Sequence, residues 1–303
     1  MKIQHLLGGL LAFQLLLAGG LFAHHRQQQA QLAQQTEILS FDKSAVDKIE
    51  IADKSGKVVL TKASGGWTVP DYSGLPADPE KVDELLTDLS TLKGGWPVST
   101  VADSHEQFEV AEKKFAKTVK LMAGEKLLAE LYLGTSPGLR NTHVRNAKDK
   151  NVYSVALSST ELAVANDQWF DRGIFAMKDP TEIKGKDFVL KKSGSAWNLE
   201  GAGAADKVAV DNLLKALTNL QVEALQSTAP SGAATTTLEV VDGKPLTLSF
   251  WVKGDAVTVR RSDNDKAFTM GKPIYAQLIS FDKAKLTSKK ESAPAAATPA
   301  ATP

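Results

Sequence analysis

The chain has no cysteine among its 303 residues, which excludes disulfide stapling and thiolate metal sites. Charge of one sign is missing too. The 36 basic and 35 acidic side chains leave a net charge of +1, so the sequence carries no electrostatic footprint for nucleic acid. Phosphate loops are absent: Gly271-Lys272-Pro273 lacks the upstream glycine and ends in proline. There is no Gly-x-Ser-x-Gly nucleophile elbow, and the acids near Asp263 and Asp265 do not follow calcium-loop spacing. They read as a turn between strands.

Histidine is scarce, with 5 in the chain. His24-His25 reads as a polar flank of an apolar segment. His105 and Glu109 stand at i, i+4 on an expected short helix, as zinc ligands do, but spacing supplies no third ligand and a solvated face is the expectation. The carboxylates are scattered over helix faces and turns, so no acid–base pair can be assigned. The sequence therefore predicts no catalytic residue, no cofactor and no metal, and hence a non-enzyme.

What is present begins with an apolar run, Leu6 to Ala23, interrupted only by Gln14. A run of that length is either a signal-peptide core or a membrane helix. Leu21 fits poorly two positions before a cut after Ala23, and the run exceeds the usual h-region. An uncleaved anchor over residues 1–26 is favoured, with the bulk of the chain exported. Residues 27–44 open Gln-rich and read as a helical stalk or a disordered tract. Beyond Leu286 the chain turns to Lys, Ser, Ala, Thr and Pro, and 287–303 is expected to be a disordered tail.

Between these lies a block that occurs twice. Val82-Asp83-Glu84-Leu85-Leu86 returns as Val210-Asp211-Asn212-Leu213-Leu214. Each copy follows a tryptophan-led apolar run, Trp67-Thr68-Val69 and Trp197-Asn198-Leu199. Each precedes a glycine-centred turn, at Gly124 and Gly243, and then a basic strand, Val144-Arg145 and Val259-Arg260. The offset between copies shrinks along the chain, as loop deletions would make it. Ile49 and Ile51 alternate with charges before Lys54-Ser55-Gly56, which predicts a hairpin. Asp78 and Pro79 predict a helix start, and Val82, Leu85, Leu86, Leu89 and Leu92 fall on one face, with Gly94-Gly95 as its end. The expected fold is α+β: two tandem domains, 45–178 and 179–286, each a mostly antiparallel sheet with a packed helix, behind one N-terminal transmembrane helix.

Three residues stand out as candidate partner or ligand contacts. Arg145 and Arg260 occupy equal repeat positions, and cross-sheet pairing with carboxylates is preferred for them over partner contact. Trp169, in Asp167-Gln168-Trp169-Phe170-Asp171-Arg172, is expected to pack across the domain junction or to face a partner. Trp67, Trp96, Trp169, Trp197 and Trp251 could also stack on sugar rings, although most read as core.

The order of the motifs carries a resemblance. Ile49-x-Ile51, Gly65-Gly66-Trp67, the helix from Pro76 to Leu86, Leu131-Tyr132-Leu133-Gly134, Val152-Tyr153 and Trp169 to Arg172 follow one another as in a bacterial family known as domain of unknown function 4340. The resemblance covers roughly residues 45–285, with the second copy weaker. One departure is visible: family members often have Tyr-Gly-Leu where this chain has Gln107-Phe108-Glu109-Val110, so a turn glycine is missing. The resemblance implies a membrane-anchored protein associated with ABC-type export systems. The expectation is a periplasm-facing accessory or scaffold, single-pass in the bacterial inner membrane, with integral membrane transporter subunits as partners. The alternative is a periplasmic binding module holding a small ligand or glycan in an inter-repeat cleft.

Overall fold

The computed structural model of the chain describes residues 35–138, 140–228 and 230–288. The expected anchor, the start of the stalk and nearly all of the expected tail lie outside these residues. No described helix is long and apolar enough to cross a membrane. The chain divides into two compact units, with the boundary between Asp171 and Arg172.

The first unit is built on an antiparallel sheet of eight strands. In chain order these are β1 (Lys48–Asp53), β2 (Lys57–Ala63), β3 (Gly66–Val69), β4 (Leu75–Pro76), β5 (Lys117–Ala123), β6 (Lys126–Leu133), β7 (Thr142–Asn146) and β8 (Tyr153–Val155). Their order in the sheet is β8-β7-β6-β5-β1-β2-β3-β4. The alternation seen in the sequence is the alternation of the sheet faces in β1 and β2, where Ile49, Ile51, Val58 and Leu60 are buried while their neighbours are not; Val119, Leu121, Leu131 and Leu133 extend the buried face, with Thr118 and Tyr132 buried beside them. The β1–β2 turn is held by Asp53, whose carboxylate accepts from the Ser55 and Gly56 N–H groups. The β5–β6 turn places Gly124 at φ 58°, and its N–H donates to the Asp47 carboxylate at 2.8 Å.

Helix α1 (Pro79–Ser90) starts where the sequence predicts. Asp78 caps it by accepting from the Glu80 and Lys81 N–H groups, and Pro79 occupies the first turn. Val82, Leu85, Leu86 and Leu89 are its buried stripe. Its end differs from the expectation. The helix stops at Ser90 with Thr91 as C-cap, and Leu92 is buried beyond it. Gly94 is a strand residue instead: Lys93–Gly94 pairs with Thr36–Glu37, and a Cβ at Gly94 would lie 2.6 Å from the Tyr153 ring. Ile38 and Leu39, inside the stretch expected to be stalk, are buried in this unit. The first unit thus starts earlier than residue 45.

The second unit repeats the plan. Its strands are β9 (Glu182–Lys184), β10 (Val189–Ser193), β11 (Ala196–Leu199), β12 (Gly203–Ala204), β13 (Ala224–Leu225), β14 (Thr236–Asp242), β15 (Lys244–Lys253), β16 (Ala256–Arg261) and β17 (Ala267–Met270). The sheet order is β13-β17-β16-β15-β14-β9-β10-β11-β12, the order of the first sheet with β13 added at one edge. Helix α2 (Lys207–Thr218) follows the fourth strand, as α1 does, with Asp206 as its N-cap and Val210, Leu213, Ala216 and Leu217 buried. Two short helices, α3 (Lys272–Ile279) and α4 (Lys283–Leu286), end the described chain.

Both units close in the same way. The residue before each helix cap forms a β-bridge with the unit's last segment, Ala77 with Phe170 and Ala205 with Thr287. The cap residue's own N–H then donates into that segment, Asp78 to Trp169 O at 2.8 Å and Asp206 to Leu286 O at 2.9 Å.

Candidate functional site

Trp169 and Phe170 were expected at a domain junction or facing a partner. They are 1% and 2% exposed, and their described contacts lie within the first unit. The Trp169 indole N–H donates to Ala163 O at 2.8 Å, and the Phe170 ring lies 5.4 Å from that of Tyr72. Lys81 reaches across from α1, its ammonium 4.7 Å from the Trp169 ring centre while donating to Gln168 O at 2.7 Å.

This corner of the first unit encloses a cavity of about 300 Å³. One wall is α1, through Lys81, Glu84, Leu85 and Asp88, which recur every three or four residues and so share a face. The other is the segment running from Leu157 to Trp169. Leu85, Leu157, Leu162 and Trp169 give it an apolar floor, with Glu84, Asp88, Glu161 and Lys81 around it. The volume is at the lower end of small-molecule sites, and the lining suits a compact ligand with an apolar body and a cationic group. The sequence signal for this second helix face was present but weak, because its far wall comes from a segment without regular periodicity.

Arg145 is 4% exposed and is tied to backbone carbonyls rather than carboxylates. Its Nε donates to Val110 O at 2.8 Å, and Nη1 lies 3.4, 3.4 and 3.2 Å from the carbonyls of Asn146, Ala147 and Asp149. The guanidinium stacks 4.6 Å from the Tyr132 ring centre. The Tyr132 hydroxyl is pushed up to about 12, chiefly by burial and then by the neighbouring Glu130 carboxylate. Arg260 is half-buried, its guanidinium 5.5 Å from the Trp251 ring centre. The expected carboxylate partners are thus replaced by carbonyls at Arg145 and by an aromatic face at Arg260. The physical reason is local: Tyr132 and Trp251 offer rings within reach, and the turn following Arg145 presents the carbonyls of Asn146, Ala147 and Asp149 beside that of Val110.

The histidine reading also changes. Residues Ala102–Ser104 form a single 3-10 turn, and Glu109 sits at φ 55°, so His105 and Glu109 share no helix face. His105 Nε2 lies 2.7 Å from Lys150 O. His143 is nearly buried, with Nδ1 2.8 Å from Thr135 Oγ1, its ring edge-on to Phe108 and its basicity lowered by burial. Among the described residues no group of three or more His, Asp or Glu is placed to hold a metal ion. The tryptophans expected to be core are mixed: Trp67, Trp197 and Trp251 are half-buried, and Trp96 is 60% exposed.

A family model described as "Domain of unknown function (DUF4340)" matches residues 67–240, more than half of the chain. The chain belongs to this family. The matched stretch runs from β3 of the first unit into β14 of the second, so the family signal covers both helices and both of their N-caps. No curated protein and no solved structure matches the chain.

Proposed function

We propose that this chain is a membrane-tethered, periplasm-facing accessory or scaffold subunit of a bacterial envelope complex, working beside an ABC-type transport system without chemistry of its own. The observation that carries it is the way the chain enters its first unit. Thr36–Glu37 is paired to Lys93–Gly94 and Ile38 N–H donates to Leu92 O, so the preceding residues, with the apolar run Leu6–Ala23, leave a folded body from a fixed point. A tether of that kind raises the local concentration of whatever the folded units bind. The shared strand order of the two sheets supports a duplicated scaffold, two tandem copies of one module, offered to partners side by side in sequence. The polar side chains that most resemble site residues are tied into the fold: Arg145 to carbonyls, His143 to Thr135 and His105 to Lys150. Crosslinking in intact cells, detergent extraction and mass spectrometry test this. Reproducible capture of transporter permease or ATPase subunits is the expected result; repeated recovery of the chain alone overturns it.

A binding-module reading has separate support in the cavity lined by Leu85, Leu157, Leu162 and Trp169. It expects a compact organic cation to raise the unfolding temperature and quench Trp169 emission. A panel of amines and sugars that shifts neither removes it.

A further inference from the structure

Large apolar side chains are exposed at six described positions, and three of these fall within six residues: Trp96 at 60%, Val98 at 45% and Val101 at 58%. Scattered apolar side chains on a surface are ordinary, but three exposed within six residues of one another on one held stretch call for a cover. This group does not sit on a loose loop. Val98 N–H donates to Val152 O at 2.8 Å, Val152 N–H donates back to Ser99 O at 2.9 Å, and the Ser104 hydroxyl donates to Ser99 Oγ at 2.6 Å. The backbone under the patch is therefore held against the edge at Val152.

Its place along the chain identifies the cover. Trp96 is two residues from Gly94, and Gly94 pairs with Thr36, where the chain arrives from its N-terminal run. Only the twelve residues 24–35 separate that pairing from Ala23. Their greatest possible reach is about 40 Å, and any less extended path brings the patch nearer the end of the apolar run. We propose that Trp96, Val98 and Val101 form a membrane-contact patch, seated at the headgroup–acyl boundary of the bilayer that holds the chain's own N-terminal run. This rests on the tethered reading above. Tryptophan suits that boundary because its ring is apolar while its N–H still finds a polar partner. Lys93, exposed beside the patch, adds attraction to anionic lipid, against which exposed Asp103 and exposed Glu37, paired opposite Lys93, act in the opposite sense. The tether makes the contact intramolecular, so three side chains suffice where free binding would be weak.

The absence of cysteine makes the test clean. Val98→Cys and Val101→Cys, each labelled with an environment-sensitive fluorophore in the full-length chain, are reconstituted into phosphatidylethanolamine–phosphatidylglycerol vesicles. Flotation reports the tether, and quenching by nitroxide-bearing lipids reports the patch. The expected result is flotation with blue-shifted, lipid-quenched emission at both positions. Flotation with water-like, unquenched labels at both overturns the patch and leaves the tether standing. Failure to float removes the tethered reading and the patch together.

Discussion

The two units share a strand order, a capped helix and a closing bridge, yet they treat matched positions differently. Arg145 and Arg260 occupy matching places in the two sheets, one opposite Tyr132 and the other opposite Ser249. In the first unit the connection from α1 to β5, residues 91–116, carries Val110 over the sheet, and Arg145 Nε donates to its carbonyl. The corresponding connection in the second unit, residues 219–235, is shorter, and Arg260 rests half-buried against Trp251. The closing segments diverge as well. Trp169 and Phe170 fill the first unit where Leu286 and Thr287 serve the second. A repeated position fixes where a side chain starts; the loop above it decides what it does.

The largest expected effect tests the closures. Phe170→Ala removes a fully buried ring and should cost about 4 kcal/mol, whereas Leu286→Ala in the second unit should cost about 3 kcal/mol, both read by urea denaturation. A cost under about 1 kcal/mol for Phe170→Ala would mean that packing of the Phe170 ring is not what secures the closing segment of the first unit. Next come the arginines. Arg145→Met strips the donor from a buried set of carbonyls and should cost about 2–3 kcal/mol. Arg260→Met gives up an aromatic contact at a half-buried site and should cost about 0.5 kcal/mol. Equal costs would break the contrast between the units, and a double-mutant cycle of Arg145 with Tyr132 would sharpen it.

Much of the shared plan was legible because it rests on period and caps. The buried faces of β1 and β2 alternate, the stripes of α1 and α2 follow helical spacing, and Asp78 and Asp206 cap where a short acid before a helix should. What escaped depends on partners far along the chain. The two-residue pairing of Thr36–Glu37 with Lys93–Gly94 has no period to detect, and it moved both the end of α1 and the start of the unit. The carbonyls around Arg145 include one from a residue 35 positions away. The motif Leu131-Tyr132-Leu133-Gly134 was recognisable by order, but the reason for its glycine was not: a Cβ there would lie 1.8 Å from Phe108 O.

The missing turn glycine was legible as an absence, and the structure shows what it costs. Glu109 takes φ 55°, in the left-handed region that disfavours a side chain. Glu109→Gly relieves that strain and loosens the unfolded chain, so the net expectation is a gain of about 0.5–1 kcal/mol. A destabilised variant would show that Glu109 has a role its backbone geometry does not express.

The smallest effect separates the units by pH. His143 is nearly buried against Phe108, and burial holds its ring below the ordinary value of 6.5. The folded state therefore prefers the neutral ring. Well above the ordinary value both states are neutral and the group contributes no pH dependence. As pH falls through that value the unfolded chain takes a proton that the folded chain resists, so stability is lost on the acid side and levels off below the folded value. The residue at the matching position of the second unit is Thr258, which does not titrate. Urea midpoints followed from about pH 7 to 5 should fall less in His143→Asn than in the parent chain, while Thr258→Ser leaves the slope of the parent unchanged. An identical slope in His143→Asn would place the acid sensitivity among the carboxylates and dissolve this last difference between the two units.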